Sequence, residues 1–311
     1  MKFKFYKNSI YIIMYHYVRE IDGSKYPLLK GLEFNNFKKQ IDFFSKNFNI
    51  LDYSDFITII KNKKIPEKPS ILLTFDDGYI DHYQYVFPYL LKKKINGCFY
   101  PPILPLQNKM VLDVNKIHFI LEKAKNQNFL IQDINFILKK LGQKELQEYD
   151  YSKFSLKGLD DKKTLMIKRL LQVILPKKYR EDVCDYLFEK YLNISLKNFS
   201  KELYMSKNQI NEMSKNGMIF GSHTMSHEWL ESLCHLKQNY EIKTSINFLR
   251  NNVSNKYNYS LCYPYGSYNM ITINILKKYN IEFGLTNHFG YLNKNNIHNI
   301  YSFPRIDTAY L

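Results

Sequence analysis

A chain of 311 residues with 45% hydrophobic and 24% charged residues can bury a substantial core, and this composition excludes a disordered polymer. The formal charge of +16 suits a polyanionic partner, yet the lysines are spread along the chain without a long basic block, so nucleic-acid binding has only net charge behind it. Cys98, Cys184, Cys234 and Cys262 lie far apart and include no C-x-x-C pair, which excludes a zinc ribbon or a thioredoxin-like motif and fits reduced thiols in the cytosol.

The opening Met1-Lys2-Phe3-Lys4-Phe5-Tyr6-Lys7 is charged but has no signal-peptide h-region behind it, and the apolar stretch from Ile10 to Met14 is too short to be one. No segment approaches the roughly 20 apolar residues of a membrane span. The expected location is cytoplasmic, with any membrane contact peripheral and at the inner face.

Strands are predicted at Ile10–Tyr15, Ile71–Phe75, Gly97–Tyr100, Met218–Ser222, Ser260–Tyr263 and Phe283–Thr286, with shorter ones near Ile50-Leu51 and Ile300–Phe303. Between the first two, Phe34, Phe37, Ile41, Phe44 and Phe48 recur at helical steps, and Ser54 is a predicted N-cap for a second helix. Val86 to Lys94 reads as a helix with Pro88 in its first turn. From about Pro105 to Tyr204 the rhythm changes to helices alone, at Val114–Lys125, Ile131–Leu141, Lys162–Leu175 and Arg180–Tyr191. Leu236, Tyr240, Ile246 and Leu249 mark a later helix. Strands alternating with helices predict an α/β barrel of parallel strands. The expected organisation is one catalytic domain, 1–311, with a helical insertion at 105–204.

Three segments carry chemistry. Thr74-Phe75-Asp76-Asp77-Gly78 follows an apolar run, and two adjacent carboxylates repel unless a cation or proton holds them. A turn at Gly78 would bring both to the rim of the sheet, one to ligate metal and the other to accept a proton. His223 and His227 stand four apart after the strand Met218–Phe220, and a helical turn would aim both at one ion. With Asp77 they make a two-histidine, one-carboxylate set suited to zinc, or to Co, Ni or Fe(II). Tyr263-Pro264-Tyr265-Gly266 ends a further strand with a rigid turn, in which Pro264 fixes one φ and the glycine permits an unusual one.

In this order the three segments resemble the motifs of the polysaccharide deacetylases, carbohydrate esterases that remove N-acetyl groups from sugars. The resemblance implies a distorted (β/α) barrel of about seven units. It implies Asp76 as catalytic base, Asp77, His223 and His227 as ligands of one divalent metal, and the Tyr265 N–H as oxyanion donor. Met14-Tyr15-His16-Tyr17 is similar to the early motif of the poly-N-acetylglucosamine deacetylase branch, which implies His16 as the acid. Two departures stand out. Leu261-Cys262 occupies the place where many members carry an arginine, and Leu285-Thr286-Asn287-His288 replaces a late Leu-x-His motif, leaving His288 as a second candidate acid. Arg305, in Phe303-Pro304-Arg305, is the candidate to orient Asp76 in place of the missing arginine. The expected substrate is an N-acetylated sugar, nucleotide- or lipid-linked, cleaved to acetate and a sugar amine. Hydrolysis of another linear or cyclic amide, and glycan binding without catalysis, are the competing expectations.

Overall fold

The structure is a computed structural model that describes residues 4–108, 110–154, 156, 160–254 and 259–311; the first three residues of the opening segment lie outside them. The chain forms two compact units. One comprises the chain up to Glu20, Gly31–Asn108 and Lys201–Leu311; the other comprises Ile21–Lys30 and Lys109–Ser200.

Among the described residues, the first unit is built on seven parallel strands: β1 Ile10–Tyr15, β2 Ser70–Asp76, β3 Cys98–Tyr100, β4 Ile219–Phe220, β5 Leu261–Cys262, β6 Gly284–Phe289 and β7 Phe303–Asp307. Their spatial order is β4-β3-β2-β1-β7-β6-β5, and the two-residue strand Asn49–Ile50 adds to β2 off this path. The ends of the row meet. Ser222, just past β4, donates its N–H to the Ser260 carbonyl at 2.9 Å and accepts the Cys262 N–H at 2.8 Å. The sheet therefore curls into a distorted barrel.

Parallel strands are covered on both faces, so they read as continuous apolar runs. All six residues of β1 are buried. Tyr11, Ile13 and Tyr15 pack with Ile71, Leu73 and Phe75 against Phe37, Ile41 and Phe44 of α1 (Phe34–Asn47). The alternate residues Ile10, Ile12 and Leu72 join Cys98, Tyr100, Cys262, Leu285 and Phe303 in a second cluster. Two-residue alternation carries Thr74 and Asp76 to the same side as Leu72, and Arg305 to the same side as Phe303. The apolar cluster thus gives way to polar groups toward the carboxyl ends of the strands.

The helices differ in detail from expectation. Asp52 caps α2 (Tyr53–Asn62), accepting the Asp55 N–H, while Ser54 only donates to the Asp52 carboxylate. Pro88 sits in the first turn of α3 (Phe87–Lys93), which a π-helical turn at His82–Val86 precedes. In α4 (His235–Asn252) Leu236 and Tyr240 are 77% and 57% exposed, so the assumed apolar face was wrong at its start. The buried face runs through Gln238, Glu241, Ile242, Ser245, Ile246 and Leu249, and its polar side chains are all partnered: Glu241 by Met225 and Ser226, Ser245 by Ser222, and Gln238 by Leu233 and Thr272. A further helix, α5 (Met270–Lys278), packs on α4.

The second unit is helical: Asp113–Lys123, Gln127–Lys140, Lys162–Arg169 leading into a π-helical turn at Leu170–Ile174, and Lys177–Leu192. Asn126 and Asp161 cap two of these helices by accepting the Asn128 and Thr164 N–H groups. Tyr26, Phe119, Phe188 and Phe199 form an edge-to-face ring cluster in its core. No helix among the described residues is long and apolar enough to cross a membrane.

Candidate active site

β2 delivers Asp76 as its last residue, and the chain then reverses. The reversal begins one residue earlier than the glycine suggested: Asp77 itself has φ 70°, followed by Gly78 at φ 66°. This left-handed step turns Asp77 away from the strand's alternation, and both carboxylates end up buried at the strand end. Asp77 Oδ2 accepts the Tyr79 hydroxyl at 2.5 Å. Burial and the nearby carboxylate push the Tyr79 phenol well above its ordinary pKa, so it remains a donor. Asp77 Oδ1 is buried with no hydrogen-bond partner, and His223 Nε2 and His227 Nε2 approach it at 3.4 and 3.3 Å.

The two imidazoles do not lie on a helix. Residues 223–227 form an irregular loop in which Thr224 and His227 have φ values of 64° and 60°. The expected helical turn is corrected: two left-handed residues, rather than the 3.6-residue period, aim both rings at Asp77. Such conformations cost about 1–2 kcal/mol each and persist only where surroundings impose them. Here Glu241 of α4, buried, imposes them. It accepts the Met225 and Ser226 N–H groups at 3.0 and 2.8 Å and the Ser226 hydroxyl at 2.6 Å, and Thr224 Oγ1 accepts the His227 N–H at 3.1 Å. His223 Nδ1 lies 2.8 Å from the Cys262 carbonyl. A carbonyl can only accept, so Nδ1 carries a proton and Nε2 is the nitrogen presented to Asp77. Burial would lower the His223 pKa, but Cys262 and the Asp77 and Asp76 carboxylates override it and hold it well above its ordinary value in the metal-free protein. Burial holds His227 below its ordinary pKa, favouring a neutral, ligating imidazole.

Asp76 faces different partners. Arg305 donates Nη1 to Oδ1 at 2.9 Å and Nη2 to Oδ2 at 2.7 Å, and its Nε donates to the Thr286 carbonyl at 2.8 Å. Burial alone would raise the Asp76 carboxyl, but Arg305, with His223 and His16 nearby, overrides it and holds the group at about 2. The Cys262 thiol lies 3.3 Å from Asp76 Oδ2. His16, directly after β1, places Nε2 3.9 Å from Asp76 Oδ2, and its side chain is 40% exposed. His288 sits within β6 and is exposed.

The Pro-Tyr-Gly turn adds a further left-handed residue, Tyr265, at φ 58° and ψ 8°. Its ring stacks on Trp229 (4.7 Å, 14°) and meets His227 edge-on at 4.8 Å. Gly266, at φ 71°, is required twice over: a Cβ there would lie 2.0 Å from Asn287 Oδ1. Asn287 Nδ2 in turn donates to the Tyr265 carbonyl at 2.9 Å.

The structure thus gathers Asp76, Asp77, His16, His223, His227, Tyr265 and Arg305 around the carboxyl ends of the strands, where β/α barrels carry chemistry. Sequence reasoning missed Tyr79, Glu241, Asn287 and Trp229. The donor set fits a divalent ion: an orphaned buried carboxylate oxygen faces two imidazole nitrogens, all within 4.8 Å of one another. Asp76, His223 and Cys262 also approach within 4.8 Å. In that second group His223 is committed to Asp77 and to the Cys262 carbonyl, and the Arg305 guanidinium already lies against both Asp76 and Cys262.

Residues 174–284 match the family model for polysaccharide deacetylase. The fold is similar to that of the Streptococcus pyogenes deacetylase PplD in complex with acetate (18% identity, 97% of this chain and 92% of that one, TM-score 0.58). It is also similar to IcaB from Ammonifex degensii (16%, 97% and 93%, 0.56) and to the BpsB deacetylase domain from Bordetella bronchiseptica (14%, 96% and 96%, 0.53). No curated protein matches the sequence. At these identities the likenesses establish the fold, and the roles of individual residues rest on the geometry above.

Proposed function

We propose that this chain is a metal-dependent deacetylase that hydrolyses the acetamide of an N-acetylated sugar or glycan, releasing acetate and a sugar amine. The observation that carries this reading is Asp77 Oδ1, buried without a hydrogen-bond partner between two imidazole nitrogens, with Asp76 one residue earlier. Asp77, His223 and His227 would hold one divalent ion, zinc by ligand type, with Co, Ni or Fe(II) suited to the same set. Bound there, it supplies Lewis acidity toward the carbonyl and lowers the pKa of water.

The protein's own groups do the rest. Asp76, kept ionised by Arg305, accepts the proton of the attacking water. The Tyr265 N–H, presented by the left-handed turn after Pro264, donates to the developing oxyanion. An amide nitrogen leaves poorly unless protonated, and His16, partly open to an incoming ligand and close to Asp76, is the group placed to protonate it. This early histidine supports a place in the poly-N-acetylglucosamine deacetylase-like branch. The charge of +16 supports a sugar carrying a pyrophosphate, nucleotide- or lipid-linked. The helical unit is read as an insertion in a single catalytic domain.

Acetate release from a panel of N-acetylated oligosaccharides and sugar nucleotides, with chelator and after metal return, tests the reading. Turnover that disappears with chelator and returns with metal supports it. Turnover indifferent to chelation removes the metal from the mechanism.

A further inference from the structure

Asp76 and His223 belong to different strand ends, yet one residue touches both. Cys262 closes β5, is fully buried, and offers its carbonyl to His223 Nδ1 at 2.8 Å. Its side chain turns to the other half of the site. The thiol donates to Asp76 Oδ2 at 3.3 Å, and Arg305 Nη2 donates to the same sulfur at 3.0 Å. Arg305 Nη2 reaches Asp76 Oδ2 as well, so Asp76 Oδ2, Arg305 Nη2 and Cys262 Sγ close a three-membered ring of contacts. The guanidinium fork fixes the plane of the Asp76 carboxylate, and the thiol adds a contact to Oδ2 from a separate strand. Arg305 is itself anchored, by Nε on the Thr286 carbonyl at 2.8 Å and by Nη1 on Thr74 Oγ1 at 3.2 Å, so what the thiol adds is a further contact on the carboxylate oxygen Oδ2 itself.

We propose that Cys262 is a positioning residue for the hydrolytic reaction: its thiol sets the orientation of Asp76 through the Arg305 fork, while its backbone sets His223. The inference rests on the assignment of Asp76 as the base. It makes the thiol's hydrogen-bonding capacity, rather than its volume, the property that matters. A serine can donate to Asp76 and accept from Arg305. A valine fills the space and can do neither.

The test compares Cys262→Ser, Cys262→Val and Cys262→Ala in the full chain, measuring kcat and KM on an N-acetylated oligosaccharide and on an activated aryl acetate. Thermal midpoint and bound metal are followed in parallel. Cys262→Val and Cys262→Ala should lose on the order of tenfold in kcat on both substrates, within the loss that slight misplacement of a reacting group produces. KM and metal content should stay near wild type, and Cys262→Ser should recover most of the rate. A valine variant as fast as wild type would reduce Cys262 to packing and overturn the proposal. Loss of metal in all three variants would overturn it as well, because the residue would then act through His223 alone. An active wild type with indifferent variants defeats this inference only, whereas a wild type inert toward both substrates defeats the deacetylase reading and the inference with it.

Discussion

Arg305 meets Asp76 as a two-pronged fork, at 2.9 and 2.7 Å, with both side chains 2% exposed and 229 residues apart in the chain. Neither partner is tolerable alone at such burial, and removing one from a buried pair costs about 3–5 kcal/mol. Arg305→Met should lower the thermal midpoint accordingly, and Arg305→Lys should recover only part because an ammonium cannot span both oxygens. The pair also sets an acid limit. The Asp76 carboxyl is depressed to about 2, so its contribution is complete above the unfolded value near about 3.9 and is lost as pH falls through the folded one. In Arg305→Met burial loses its main opponent, with only His223 and His16 left to counter it, so the carboxyl rises and the fall in stability should begin at higher pH. Thermal midpoints of metal-free protein between pH 2 and about 6 check the shift.

The adjacent carboxylates should separate cleanly. Asp76→Asn keeps the metal set intact and should lose on the order of 10²–10⁴ in rate with metal content unchanged. Asp77→Asn should lose the ion first and activity as a consequence. Elemental analysis beside kcat decides, and the opposite pattern would exchange the two roles.

Metal binding should involve about one divalent ion per chain, since the neighbouring Asp76–Cys262 group already holds the Arg305 guanidinium. His223→Ala and His227→Ala should abolish tight binding, and His235→Ala, exposed at the start of α4, should not. Glu241→Gln is the more discriminating variant. It touches no ligand atom, but three hydrogen bonds from the 225–226 backbone and the Ser226 hydroxyl end on Glu241. An affinity loss of about 10–100-fold with the fold retained would show that the left-handed loop needs this anchor. Isothermal titration of stripped protein reads the difference.

The sequence made the strand ends legible and left their wiring dark. β1 is visible because both its faces are apolar, and Asp76, Asp77 and His16 follow directly from where β2 and β1 stop. β4 was expected over Met218–Ser222 but pairs regularly only at Ile219–Phe220. Gly221 lies so close to Tyr100 that a Cβ would sit 2.3 Å from its ring, and Ser222 pairs instead with the next strand. Glu241 escaped because it reads as a solvated position when α4 is phased on Leu236 and Tyr240. Its burial is decided by the loop it serves, which no helical period encodes. Tyr265 escaped as a strained residue because Pro-x-Gly turns ordinarily leave φ > 0 to the glycine.

The acid assignment is tested by choice of leaving group. His16 Nε2 lies 3.9 Å from Asp76 Oδ2, and His82 Nε2 is 2.8 Å from the His16 carbonyl, which anchors the backbone while leaving the His16 ring 40% exposed. An aryloxide departs readily without a proton, whereas an amine does not. His16→Ala should therefore depress hydrolysis of an N-acetyl amide on the order of 10²-fold or more, while an activated aryl acetate changes little. Metal content should remain near wild type, since His16 is not among the groups that converge on Asp77 Oδ1. His288→Ala is the parallel control, with little effect expected on either substrate because its side chain is exposed on β6. Equal losses on amide and ester from His16→Ala would make it a structural residue. An amide-selective loss from His288→Ala would move the acid to β6, and with it the resemblance to the early-histidine branch would lose its chemical basis.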